Sequence, residues 1–95
     1  MTEMWGALEK YQPYAGRHGF GEVWRRMCEE RTEDAADAAW DAAPESTPRR
    51  VGDAVFAASC LVAATRVKVE SAVLVQIAAK AVAYINEAIA AEKTK

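Results

Sequence analysis

The stretch Thr65-Arg66-Val67-Lys68-Val69-Glu70-Ser71 decides the fold. Beyond Gly52 the chain contains neither glycine nor proline, so the helical pattern of its last 43 residues carries no ordinary stop signal. One helix over that distance would run about 65 Å, longer than so small a domain can cover. Within the stretch, Val67 and Val69 alternate with Lys68 and Glu70, a short extended signature inside a helical period. The alternation predicts a turn or kink and two antiparallel helices, over residues 48–65 and 70–92.

Both helices read as apolar around most of their circumference. On the last one, Val73, Leu74, Ile77, Ala78, Ala81, Val82, Ile85 and Ile89 leave a narrow polar strip of Gln76, Lys80 and Glu87. On the preceding one, Val51, Val55 and Val62 face one way and Phe56, Cys60 and Ala63 the other. A helix apolar nearly all round must be buried nearly all round. The pattern therefore predicts a homodimer, in preference to a compact monomer, with Leu74, Ile77, Ala81, Ile85 and Ile89 as its seam.

Upstream, Ser46 and Thr47 before Pro48 form a helix start signal, a cap followed by proline at the first helical position. Thr2 can cap a first short helix reaching about Gln12, with Trp5, Leu8 and Tyr11 on one side, which Pro13 ends. A glycine-punctuated connector, Pro13 to Gly19, follows, and then an acidic helix or helix pair from Phe20 to Ala43 that stops at Pro44. The expected fold is all-α, a small bundle of four to five helices ending in a C-terminal helical hairpin. Residues 1–95 form one domain with an acidic, aromatic-rich half, 1–47, and an apolar alanine- and valine-rich half, 48–95.

The acidic segment carries Glu29, Glu33, Asp37, Asp41 and Glu45 at four-residue spacing, with Glu30 and Asp34 beside them and Arg31 opposing them. Like charges so placed on a helix repel by a few tenths of a kcal/mol per pair, so such a stripe is either simply solvated or offered to a positive partner. If Phe20, Trp24, Met27, Arg31, Ala35, Ala38 and Ala42 form one continuous apolar face, Trp40 projects from the opposite, acidic side. An amphipathic ring among acids then has the composition of a binding anchor. The alternative is that Thr32 caps a new helix, which resets the phase and turns Trp40 inward.

Net charge is −2 but unevenly spread, with ten acids and five bases in residues 1–47 against four and seven in residues 48–95. That asymmetry, and the lack of a basic stripe interleaved with aromatics, argues against direct nucleic-acid binding. The hydrophobic content of 52% includes 21 alanines, which favour helix but bury little area. Cys28 and Cys60 have neither zinc nor redox spacing and read as core thiols of a reducing cytoplasm. The longest uncharged run, Ala54 to Thr65, has 12 residues, short of the roughly 20 that cross a bilayer, so no membrane partner is expected. His18 lies in Gly16-Arg17-His18-Gly19-Phe20-Gly21, which reads as a flexible turn or, remotely, as an anion-binding module using Arg17 and His18. With one histidine and no third group visible to orient it, the sequence predicts neither an enzyme nor a cofactor or metal site.

The string Trp5-Gly6-Ala7-Leu8-Glu9-Lys10-Tyr11-Gln12-Pro13-Tyr14-Ala15, followed by Trp24-Arg25-Arg26-Met27-Cys28-Glu29-Glu30-Arg31-Thr32 and an alanine run, resembles small alanine-rich proteins encoded by phages and prophages. The likeness covers about half the chain. It implies a protein that binds a host complex, as inhibitors of CRISPR effectors do, some of them by nucleic-acid mimicry. Joined to the acidic stripe, this gives the expected function: a non-enzymatic interaction module acting in the host cytoplasm. Glu29, Glu30, Glu33, Asp34, Asp37 and Asp41 would supply charge to the basic groove of a host protein complex and Trp40 the anchor. The rival is a structural or assembly protein working through its apolar C-terminal helices.

Overall fold

The computed structural model describes residues 2–94 in backbone and 3–94 in side chains, so the expected Thr2 side-chain cap lies outside the described residues. Among them the chain is all helix: α1 (Thr2–Glu9), α2 (Gln12–Arg17), α3 (Gly21–Glu30), α4 (Glu33–Ala42), α5 (Arg49–Arg66) and α6 (Ser71–Lys93). The C-terminal hairpin forms with its turn at residues 67–70, where Lys68 takes the left-handed conformation, φ 56°. Successive helices pack on one another from α2 to α6, and α1 closes the circuit by lying on both α3 and α6. At 1.5 Å per residue α6 is about 35 Å long, close to the 39 Å long axis of the molecule.

The short helix α2 takes the place of the expected connector, because Pro13 opens a helix instead of ending one. It sits in the first turn of α2, where its missing N–H costs nothing and its fixed φ suits the helix. The segment read as a connector is thus largely helical, and only Gly19, at φ 88°, has a glycine-specific backbone.

The acidic segment is a helix pair. Arg31 ends α3 in the left-handed region, φ 56°, while its Nε donates to the Cys28 carbonyl at 3.1 Å and its guanidinium lies over the Trp5 ring. These contacts hold a non-glycine residue where it would otherwise be strained. Thr32 then caps α4, its hydroxyl accepting from the Ala35 amide at 3.2 Å. The phase resets here: Ala35, Ala36 and Ala39 are buried, whereas Ala38 and Ala42 are exposed. The continuous apolar face through Arg31 does not exist.

The expected cap of α5 is also replaced. Pro48 occupies the cap position with no side-chain cap bond, and Ser46 is drawn elsewhere.

The core centres on aromatics from the first three helices. Trp24 is fully buried and its indole N–H donates to the Leu8 carbonyl at 2.9 Å, pinning α3 to α1. Tyr11 packs against Trp24, Tyr14 and Phe20 at centroid separations of 5.2, 5.6 and 6.5 Å. Gly21 permits close approach, since a Cβ there would sit 3.0 Å from the Gly16 Cα. Leu8, Val51, Leu61, Ala81 and Ile85 carry the core into the hairpin.

Two glycines inserted after Lys68 should cost about 1 kcal/mol or less, the loop-lengthening penalty. Inserted after Ala79, they rotate Ala81, Ile85 and Ala88 by about 200° away from the core and should abolish cooperative melting. Thermal denaturation followed by circular dichroism distinguishes the two outcomes.

Candidate functional site

Two surfaces contrast. The first is the acidic one. Glu29 is held by Arg25 at 2.8 Å and Glu30 by Arg26 at 2.8 Å, both along α3. Glu33 pairs with Arg66 from the far end of α5. Half of the six expected acids are therefore neutralised within the chain. Asp34, Asp37 and Asp41 are exposed on α4 and have no ion-pair partner among the described residues. The break at Arg31 and Thr32 divides the acids between two helices, so no single stripe spans them.

Trp40 satisfies neither sequence reading completely. The helix phase does reset at Thr32, yet the indole remains 47% exposed. Its inner edge rests on α5 at Gly52, where a Cβ would come within 2.5 Å of Cη2. Glycine inside a helix costs roughly 0.5–1 kcal/mol relative to alanine; here the missing side chain is the space in which the ring lies. Position 52 gave no local hint of this, because its neighbour comes from another helix.

The second surface is the outer arc of the hairpin. Phe56 is 71% exposed, Val67 73% and Val75 67%, and Val69 and Val73 are also open. Of the five seam residues read from the sequence, Ala81 and Ile85 are fully buried by the chain's own α1 and α5, while Leu74, Ile77 and Ile89 are half-buried against the core. Ala81 and Ile85 have no surface left for a second copy. The error has a simple source: an apolar pattern around α6 does not say which arc the chain covers itself. The exposed arc carries Ala72, Val75, Ala79, Ala83 and Ala90, with Gln76, Lys80 and Glu87 on one flank. A groove of about 420 Å³ borders it on the α1 side, lined by Met4, Leu74, Val75, Ala78 and Val82. Another of about 350 Å³ borders it on the α5 side, lined by Phe56, Cys60, Ile77, Lys80 and Tyr84. α6 has 23 residues, and an 18-residue window within it has a mean hydropathy of 1.4, long and apolar enough to cross a membrane by length and composition; 17% of that window is buried.

A third cluster lies at the junction of the chain's two ends. His18 Nε2 is 2.7 Å from Glu92 Oε2, His18 Nδ1 is 3.2 Å from Ser46 Oγ, and the Tyr11 hydroxyl donates to Glu92 at 3.3 Å. The side chains of His18 and Glu92 are 15% and 5% exposed. The Gly16–Gly21 stretch is thus no free turn, and the third group that sequence reading lacked is Glu92, 74 residues away. No spacing rule could have joined them. Burial, then the charge of Glu92 and their hydrogen bond, push the Tyr11 hydroxyl well above its usual range. Cys28 is buried and reduced, its thiol pushed up to about 12, mainly by burial; Cys60 is half-buried in the α5 groove. No group of three His, Cys, Asp or Glu residues is placed to hold a metal among the described residues.

Comparison of the chain with protein families, curated proteins and solved structures gives no match.

Two measurements test this geometry. Gly52→Ala should expel the Trp40 ring, seen as a red-shifted indole emission and stronger acrylamide quenching, both absent when Trp40 is already Phe; unchanged quenching would mean that the ring does not rest on Gly52. For pH, Tyr11 and Cys28 have raised folded-state pKa values, so above the unfolded cysteine and tyrosine values, near pH 8.5 and 10, the unfolded chain binds fewer protons than the folded one. Stability should be complete below about pH 8 and fall as pH rises beyond it. Cys28→Ala should flatten the earlier part of that fall and Tyr11→Phe the later part, measured by urea denaturation from pH 7 to 11.

Proposed function

We propose that the chain is a protein-interaction module that assembles through the outer arc of its C-terminal hairpin, with a second copy of itself as the partner. The observation that carries this reading is the exposure of Phe56, Val67 and Val75 beside a 23-residue apolar helix of which little is covered. Contiguous apolar surface of this kind marks contact sites. Ala72, Ala79, Ala83 and Ala90 recur at steps of four and seven, which lets a second helix approach closely between the two flanking grooves.

The charges favour an antiparallel, two-fold arrangement. Lys80 and Glu87 lie two turns apart on the same flank of α6. When two α6 helices run antiparallel, that flank meets its own copy, and each Lys80 faces the other's Glu87. An isologous contact forms both pairs by symmetry. Parallel packing would bring like charges to the same level.

A second reading keeps a specific support. Asp34, Asp37 and Asp41, with Trp40 open beside them, form an acidic face on α4 whose carboxylates have no ion-pair partner among the described residues. In a dimer closed through α6 this face would remain outward. Such a surface suits the basic groove of a host nucleic-acid-handling or CRISPR complex, the partner class implied by the phage-like N-terminal half.

Val75→Asp and Phe56→Asp change exposed positions, so each should leave the melting temperature within a few degrees. Each should convert a dimer at tens of micromolar to monomer in sedimentation velocity, weakening association by about 10²-fold or more. A wild-type monomer at that concentration removes the self-assembly reading, as does partition of the wild type into detergent or vesicles instead. For the acidic face, Asp37→Lys with Asp41→Lys should slow association with a basic partner and flatten its salt dependence without loss of stability.

A further inference from the structure

The cluster at His18 has a directional order fixed by its partners. Glu92 accepts from the Tyr11 hydroxyl, which burial and the charge of Glu92 keep protonated. At 2.7 Å from His18 Nε2, the carboxylate calls for a hydrogen on that nitrogen too. In neutral imidazole the lone pair then sits on Nδ1, and Nδ1 faces the Ser46 hydroxyl at 3.2 Å. With the ring neutral, Ser46 donates to a nitrogen whose other side is anchored on a buried carboxylate. Hydroxyl, imidazole and carboxylate in that order are the components of an activated serine, here with the two ring nitrogens exchanged relative to the serine-hydrolase arrangement.

We propose that Ser46 is an activated nucleophile that accepts acyl groups from reactive esters, with His18 as its general base and Glu92 as the residue that positions the ring. In the step, Ser46 Oγ bonds to the ester carbonyl carbon while its proton passes to His18 Nδ1. The tetrahedral adduct then collapses, the bond to the alcohol breaks, and the departing oxygen takes that proton. Water attacks the acyl-serine by the same route, releasing a carboxylic acid and restoring Ser46. Ser46 is exposed on the turn between α4 and α5, and the apolar grooves of the hairpin lie elsewhere. The substrate class is accordingly a small, unhindered ester with a good leaving group.

The test uses the whole chain with p-nitrophenyl acetate and a fluorophosphonate probe, followed by intact-mass and peptide mapping. The wild type should label at Ser46 at least 10-fold faster than at Ser59 or Ser71, which serve as internal references, and Ser46→Ala should lose that label. His18→Asn should lower the rate by about 10²-fold, the usual share of a positioned base. It should also change the shape of the rate-against-pH profile. Glu92→Gln should change that profile and Glu92→Asp partly restore it, effects that a merely structural clasp would not produce. If the Glu92 variants do not fold, the comparison of Ser46 with Ser59 and Ser71 in the wild type still decides. Labelling of Ser46 no faster than of those serines, or acylation that maps to His18, overturns the proposal.

Discussion

The fold depends on how α6 is covered. A 23-residue apolar helix is almost as long as the molecule itself, and a chain this short has few elements to lay against it. α5 takes one side and α1 part of another, and between them they bury Ala81, Ile85 and Ala88. The rest of the molecule serves to bring α1 to that position. The aromatic cluster of Tyr11, Phe20 and Trp24 fixes α1 and α2 on α3, and the alanine face of α4 lets its neighbours α3 and α5 each pack on it without bulk. Alanine permits this closeness but contributes little apolar area, so the aromatics and the few large aliphatics carry most of the burial.

The features legible in the sequence were those that depend on neighbours along the chain. The hairpin turn followed from the alternation of Val67 to Glu70, and the α4 start from a threonine ahead of Glu33 and Asp34. Pro13 was ambiguous by nature, because the same residue ends one helix and begins another depending on where the preceding turn falls. What escaped was set by distant partners. The place of Trp40 depends on a missing Cβ in α5, and the covered arc of α6 depends on the arrival of α1. The His18 cluster joins three segments that share no periodicity. Glu33 and Arg66 illustrate the same limit for charge: the sequence shows an acid in a crowd of acids, and only the fold supplies its cation.

The electrostatics of the two halves are coupled by that pairing. Arg66 removes one acid from the α4 surface, and Arg50 reaches from α5 to both Glu87 and the Tyr84 ring. Such exposed pairs stabilise little individually, but they determine which charges remain to be felt outside. The remaining acidity is concentrated on the outer side of α4, away from the apolar arc of α6. One small domain thus presents two surfaces of opposite character, each suited to a different kind of contact.

The link between His18 and Glu92 also has a consequence in time. During synthesis α6 leaves the ribosome after every other helix described, so the imidazole and the aromatic helices emerge long before the carboxylate that completes their environment. Until then α1 lacks one of the two helices it packs on. Contacts across more than seventy residues are uncommon in so small a helical protein and slow its folding relative to a bundle held by local contacts. The amino-terminal half must therefore wait, and a nascent chain halted within α6 would present to the cell the α1 surface and the Tyr11 hydroxyl that the finished molecule covers.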